Sequence, residues 1–357
     1  MLTDTLERMR RDAHLPDING ERCVHAVCAE ATCRACLEAC PHGAWVFDED
    51  SLGIDTAACD GCGRCIPVCP TGALWFTEPI KPARRRERGS LVAFAACSPS
   101  GVQKGDGQIP CLHAIGLGDL LELARVGVRR LVVAQGTCDD CPRASGSAPH
   151  LKQTLDTVNR LLESRGAPPL TLKRRDAEGW QRHLTHDTDP ESGPAIGRRN
   201  FFRLAATKVV AETTQATSAP DCPAFVPPAS RLPAPSEGAE SLYPWVPTIE
   251  AMSCNGCHAC VRICPTGALN FATEPDRYVL DAAACTACRL CENVCQAGAV
   301  SLTALVSQTQ SEFPLESARC RACGTTFHVP QGHPPANGLC RICGRTNHYK
   351  KLFQVFP

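Results

Sequence analysis

Apolar positions along this chain come in short runs, and their period changes from stretch to stretch. Ser90–Cys97 (SLVAFAAC) is almost continuously apolar, as expected of a strand covered on both faces. Leu117–Gly127 (LGDLLELARVG) has helical apolar spacing, and Arg129–Gly136 (RRLVVAQG) reads as a second buried strand. His150–Gly166 predicts a helix stopped by glycine, followed by strand-like PLTLK. Strands alternating with helices predict a small parallel α/β domain over 90–175.

The flanking stretches follow another pattern, and it occurs twice. CPTGALWF (Cys69–Phe76) and CPTGALNF (Cys264–Phe271) each predict the end of a short helix, a glycine turn and a strand. SLGIDTAAC (Ser51–Cys59) and RYVLDAAAC (Arg277–Cys285) are matching strands that run into a cysteine motif. The repetition marks duplicated units at 22–80 and 248–305. Residues 176–247 are rich in Pro, Ala, Ser and Thr, including PAFVPPASRLPAP (Pro223–Pro235), the composition of an extended tether. Residues 1–21 form a charged N-terminal extension without the apolar core of a secretion signal. No run approaches the ~18 apolar residues of a membrane span.

Charge adds little: 37 basic and 37 acidic residues give a formal net charge of zero and no argument for nucleic-acid binding. The basic runs Arg84–Arg86 and Lys173–Arg175 read as solvated linker charge, with a docking patch for an acidic redox partner as the alternative. Cysteine changes the picture. Most of the 26 cysteines fall at metal-ligand spacings. Ligating thiolates must stay reduced, which favours the cytoplasm.

Four cysteine quartets stand out: Cys28, Cys33, Cys36, Cys40; Cys59, Cys62, Cys65, Cys69; Cys254, Cys257, Cys260, Cys264; and Cys285, Cys288, Cys291, Cys295. Three fit C-x2-C-x2-C-x3-C, and three are followed by proline. Three close thiolates wrap one face of a [4Fe–4S] cubane, and the fourth ligates the neighbouring cluster. Cys28/Cys33/Cys36 therefore pair with Cys69, Cys59/Cys62/Cys65 with Cys40, Cys254/Cys257/Cys260 with Cys295, and Cys285/Cys288/Cys291 with Cys264. On these motifs the chain resembles the bacterial ferredoxins that carry two [4Fe–4S] clusters, which implies two dicluster modules and four cubanes. Zinc binding and redox-silent structural clusters are the alternatives. Two departures matter. Four residues separate Cys28 from Cys33 where two are usual, leaving nearby Cys23 as an alternative ligand, and Cys295 is followed by Gln296 instead of proline.

The predicted central domain places Cys97, Cys111, Cys138 and Cys141 at loops and strand ends, where open α/β sheets bind ligands. Strand–Cys followed by IPCLHAIGLGDLLELARVGVRRLVVAQGTCDDCPR resembles the delta (iron–sulfur) subunit family of methyl-viologen-reducing hydrogenase. The resemblance implies one [2Fe–2S] cluster and relay of electrons between a hydrogenase or dehydrogenase and heterodisulfide-reductase-type flavoproteins. The chain departs in the two-residue spacing of Cys138 and Cys141 and lacks a second cysteine close to Cys97. A metal-free docking domain and a Cys138–Cys141 redox disulfide remain open.

Over 318–349, CRACG and CRICG carry Cys320, Cys323, Cys340 and Cys343, two knuckles of a zinc-ribbon-like element for one Zn2+ or a single iron. His328, His333 and His348 read as surface histidines. GRRNFFRLAAT (Gly197–Thr207) looks like a twin-arginine motif but lies far inside the chain. No dinucleotide, P-loop or hydrolytic constellation is present; the glycines of Ala114–Asp119 lack a third. The expected architecture is α+β and multidomain: two ferredoxin-like dicluster modules flank the α/β domain, with a C-terminal ribbon. The expected function is a non-catalytic electron relay serving a redox enzyme or flavoprotein. The alternative is an accessory or maturation ferredoxin for a molybdoenzyme.

Overall fold

A computed structural model describes residues 15–48, 51–77, 80–190, 222–235 and 240–346. The twin-arginine motif and His348 lie outside the described residues.

The first duplicated unit contains β1 (Asp17–Ile18), α1 (Val24–Val27), α2 (Ala35–Ala39), β2 (Trp45–Asp48), β3 (Ser51–Ile54) and β4 (Leu74–Trp75). β2 and β3 form an antiparallel hairpin, and β1 closes on β4 through Asp17↔Trp75 and Ile18↔Leu74. Its core is small: Trp45 and Leu74 pack with the cysteines themselves. The helices are only about one turn long.

The central domain contains β5 (Ala83–Glu87), β6 (Ser90–Cys97), β7 (Gln108–Ile109), α3 (Leu117–Arg125), β8 (Arg130–Ala134), α4 (Leu151–Glu163), β9 (Thr171–Arg175), α5 (Ala177–His186) and β10 (Asp189–Pro190). The sheet order is β10-β5-β6-β8-β9, with β7 beside the end of β6. β6, β8 and β9 are parallel as expected, but β5 runs antiparallel between β6 and β10, so the sheet is mixed. The cause is local. Arg88 (φ 48°) and Gly89 (φ 83°) form a two-residue turn with both φ values positive, which folds β5 back on β6. The Arg84–Arg86 run is therefore strand. Lys173–Arg175 likewise lies in β9.

The near-continuous apolar run of β6 is explained by burial on both faces. Ala93, Ala95 and Leu131 pack under α3 and α4. Phe94, Val92 and Val132 pack under α5. α5 corrects the expected tether, which was to begin at 176. Its Trp180 is fully buried and donates Nε1–H to the Val132 carbonyl at 3.1 Å. Asp176 caps its N-terminus through Gly179 N–H at 2.7 Å.

The second unit contains β11 (Leu242–Ile249), α6 (Ala259–Ile263), β12 (Leu269–Ala272), β13 (Arg277–Leu280), α7 (Leu290–Asn293) and β14 (Val300–Ser307). β11 therefore begins inside the stretch expected to be tether. β11 pairs with β14 from Leu242↔Ser307 to Ile249↔Val300. The C-terminal cysteine element is continuous with this unit, because β15 (Glu312–Arg319) adds to the edge of β13 and β16 (Thr326–Pro330) adds to β15. Tyr278 stacks on Phe313 across that edge, with centroids 5.9 Å apart. α8 (Arg341–Thr346) closes the ribbon.

The three bodies touch. Val24 and Cys28 of the first unit pack against Leu290, Ile263 and Cys288 of the second, and Asn293 donates to Thr32 Oγ1 at 3.1 Å. Arg165 at the end of α4 lies over the Tyr243 ring at 4.7 Å. No described helix is long and apolar enough to cross a membrane.

Candidate metal centres

The sequence expects the motifs of each pair to cross, and three pockets gather cysteines from both motifs of a pair. Cys40, Cys59, Cys62 and Cys65 line one pocket. Cys254, Cys257, Cys260 and Cys295 line another. Cys264 lies near enough to Cys285, Cys288 and Cys291 to raise the affinity of each for its proton.

The remaining pocket differs from expectation. It is lined by Cys23, Cys33, Cys36 and Cys69, without Cys28. Cys23 caps the single turn of α1, and Cys28 follows at its other end. The turn carries the two thiols apart: Cys28 Sγ meets Glu30 Oε2 at 3.3 Å and packs against Leu290. The four-residue gap between Cys28 and Cys33 was the sequence signal for this substitution.

These pockets suit a cationic cluster. Burial, with neighbouring thiols adding to it, pushes Cys36, Cys62 and Cys260 up to about 12 and Cys285 to about 11. Thiols held this high are protonated when empty, so ligation would release protons. Backbone donors point at the sulfurs of the closing cysteines. Ala44 N–H donates to Cys40 Sγ and Ala73 N–H to Cys69 Sγ, both at 3.3 Å, and Ala299 N–H to Cys295 Sγ at 3.2 Å. The donor sits four residues past the closing cysteine each time, where the glycine turn of CPHGA, CPTGA or CQAGA brings the chain back.

A further four-cysteine pocket lies at the ends of β6 and β8. Cys97, Cys111, Cys138 and Cys141 line it together with His113 and Gln135. Gly136 N–H donates to Cys97 Sγ at 3.2 Å, and Gln135 Nε2–H donates to Cys138 Sγ at 2.9 Å. Leu151 N–H donates to His113 Nδ1 at 3.0 Å, so Nε2 carries the proton and points at Cys138 Sγ, 3.6 Å away. Burial, then the charge of His150, lowers His113 to about 4, keeping it neutral. His113 and Gln135 were missed in the sequence; the available signal was a histidine two residues after Cys111.

In the ribbon, the ligand atoms of Cys320, Cys323, Cys340 and Cys343 all lie within 4.8 Å of one another. This arrangement fits a metal site. Cys340 N–H donates to Cys320 Sγ at 3.3 Å and leads the causes that lower Cys320 to about 6. His328 is more than a surface residue: its Nδ1 meets His258 Nε2 at 2.8 Å and its Nε2 meets Asp276 at 3.0 Å. The ribbon is thereby seated against the Cys257–Cys260 loop. Gly256 (φ 65°) permits this, since a Cβ there would fall 2.1 Å from the His328 carbonyl oxygen.

Residues 253–299 match the family described as a 4Fe-4S dicluster domain, and residues 52–75 match the family described as a 4Fe-4S binding domain. The chain carries two ferredoxin-type iron–sulfur domains. Such domains imply [4Fe–4S] clusters and indicate an electron carrier rather than a catalytic enzyme. The matched segments leave out the central domain and the ribbon. No curated protein matches the chain.

Proposed function

We propose that this protein is a multicluster electron relay of five iron–sulfur centres: four cubanes in the two ferredoxin modules and one smaller cluster in the central domain. The observation that carries the reading is the gathering of Cys97, Cys111, Cys138 and Cys141 into one pocket, although 43 residues of chain lie between the first and the last. In the N-terminal module Cys23 takes the ligand place first given to Cys28. Cys97, Cys111, Cys138 and Cys141 suit a [2Fe–2S] cluster, which takes four thiolates. His113 and Gln135 would donate to its Cys138 sulfur and raise its potential. The ribbon thiols would hold a tetrahedral zinc that stays outside the electron path.

Bound clusters would supply one-electron redox chemistry; the chain holds them at fixed separations and shields them from water. The electrons enter from, and leave to, a redox enzyme or flavoprotein in a reducing compartment, with the central domain as the docking module. Anaerobic iron and sulfide analysis tests this. About eighteen irons are expected, about sixteen would remove the central cluster, and about eight would overturn the cubane assignment.

A further inference from the structure

Between the Cys40/Cys59/Cys62/Cys65 pocket and the central pocket, two arginines cross. Arg64 stands between Cys62 and Cys65 and is fully buried. It leaves its own module and donates to the carbonyls of Arg143, Ser145 and Ala148, the last at 2.9 Å. Arg143, two residues past Cys141, reaches the other way. It donates to the Asp60 carboxylate and backbone carbonyl, and at 2.7 Å to the Pro110 carbonyl, next to Cys111. Asp60 lines one cysteine pocket, while Pro110 and Arg143 line the other. The backbones are equally close: Ser147 N–H donates to the Glu38 carbonyl at 2.9 Å. At Gly146 (φ 92°) a Cβ would fall 2.9 Å from the Ala39 carbonyl oxygen.

The charge count is unusual for a contact that only holds domains together. Of the two guanidiniums only Arg143 meets a carboxylate, that of Asp60, which also has His42 at 3.1 Å, while Arg64 donates to backbone carbonyls alone. Asp139 and Asp140, the other acids of the central loop, are exposed. An excess of buried positive charge is costly unless negative charge lies beside it. Thiolate-ligated clusters on both sides would supply that charge. Arg143 lies close enough to Cys62 on one side and Cys111 on the other for both to act on it.

We infer that Arg64 and Arg143 form a charged handover joint, which makes the Cys40/Cys59/Cys62/Cys65 cubane the direct electron partner of the central cluster and raises the potentials of both together. The inference rests on the reading of the central pocket as a cluster site. The step is a single electron leaving the reduced cluster and arriving on its neighbour, with no bond made or broken. Arg143 is a positioning residue: its guanidinium favours the more negative, reduced state on either side.

The test is an EPR-monitored redox titration of the full chain, with iron and sulfide measured on every sample. In Arg143→Met the reduced-to-oxidised ratio of both clusters is expected to fall roughly tenfold at fixed potential, about 59 mV for one electron. Arg143→Lys should restore most of it, and the C-terminal cubanes should not move. Asp60→Asn should shift both clusters in the opposite direction, which covers the case in which Arg143→Met loses iron. Iron intact with neither cluster shifted, or only one, overturns the joint alone. Absence of any central-domain signal in the unaltered protein overturns the central-cluster reading and the joint with it.

Discussion

The two ferredoxin modules share a cysteine grammar but are supported differently. In the N-terminal module β1 and β4 pair over two residues, and Val46 and Phe47 of the β2–β3 hairpin are exposed. In the C-terminal module β11 and β14 pair along eight-residue strands, and β12–β13 is widened by two ribbon strands. The first leans on the central domain; the second brings its own brace. The residue before the third cysteine of each second motif shows the contrast most directly. Arg64 and Leu290 occupy this same place in the duplicated unit, and both are buried. One docks by hydrogen bonds onto the central loop, the other by apolar contact onto Val24 and Cys28. A duplicated unit has thus kept one docking position and changed its chemistry to suit two neighbours.

The largest expected effect breaks one module and spares the other. Cys65→Ala should remove about four irons, one cubane, while the C-terminal pair keeps its EPR signals; loss of all four would show that the modules load together. Next, Cys23→Ala should lose one cubane and Cys28→Ala none. The reverse result in iron analysis would return Cys28 to the ligand set. At the joints, Leu290→Ala should destabilise the contact between modules by about 2–5 kcal/mol. Arg64→Leu leaves three carbonyls without their donor, at about 1–3 kcal/mol for each left unsatisfied. Limited proteolysis should then cut between the modules in the first variant, and between the N-terminal module and the central domain in the second.

A smaller effect separates ribbon from cubanes by pH. Cys320 is held as a thiolate above about 6, chiefly by the Cys340 N–H, so zinc retention should fall as pH drops through that value. Retention unchanged well below it, measured by a chromogenic chelator, would remove this thiolate from the site. The smallest effect is at the helix cap: Asp176→Ala should cost the central domain about 1 kcal/mol by thermal melting.

The sequence showed the cubane motifs because ligand spacing is a local property, set within single turns and loops. The strands of β6 and β8 were legible for a related reason: burial on both faces leaves an uninterrupted apolar run. Trp180 was not legible. A helix with Glu178, Gln181 and Arg182 around one tryptophan resembles tether until the sheet face that receives it is known. The proposed exchange of Cys23 for Cys28 was half legible, since the abnormal gap was visible but the turn of α1 that separates the two thiols was not. The Arg64–Arg143 crossing was hidden entirely, because it joins positions 79 residues apart through backbone carbonyls, which carry no side-chain signature.

The ribbon strand laid along β13 has a consequence beyond its own metal. An open strand edge is where identical chains find one another, and β13 would present such an edge if β15 peeled away. With a metal bound, the four ribbon thiols would tie the turn between β15 and β16 to α8. An ion with no part in moving electrons would then govern solubility: a copy stripped of it would be lost to strand-by-strand association while every cubane was still in place.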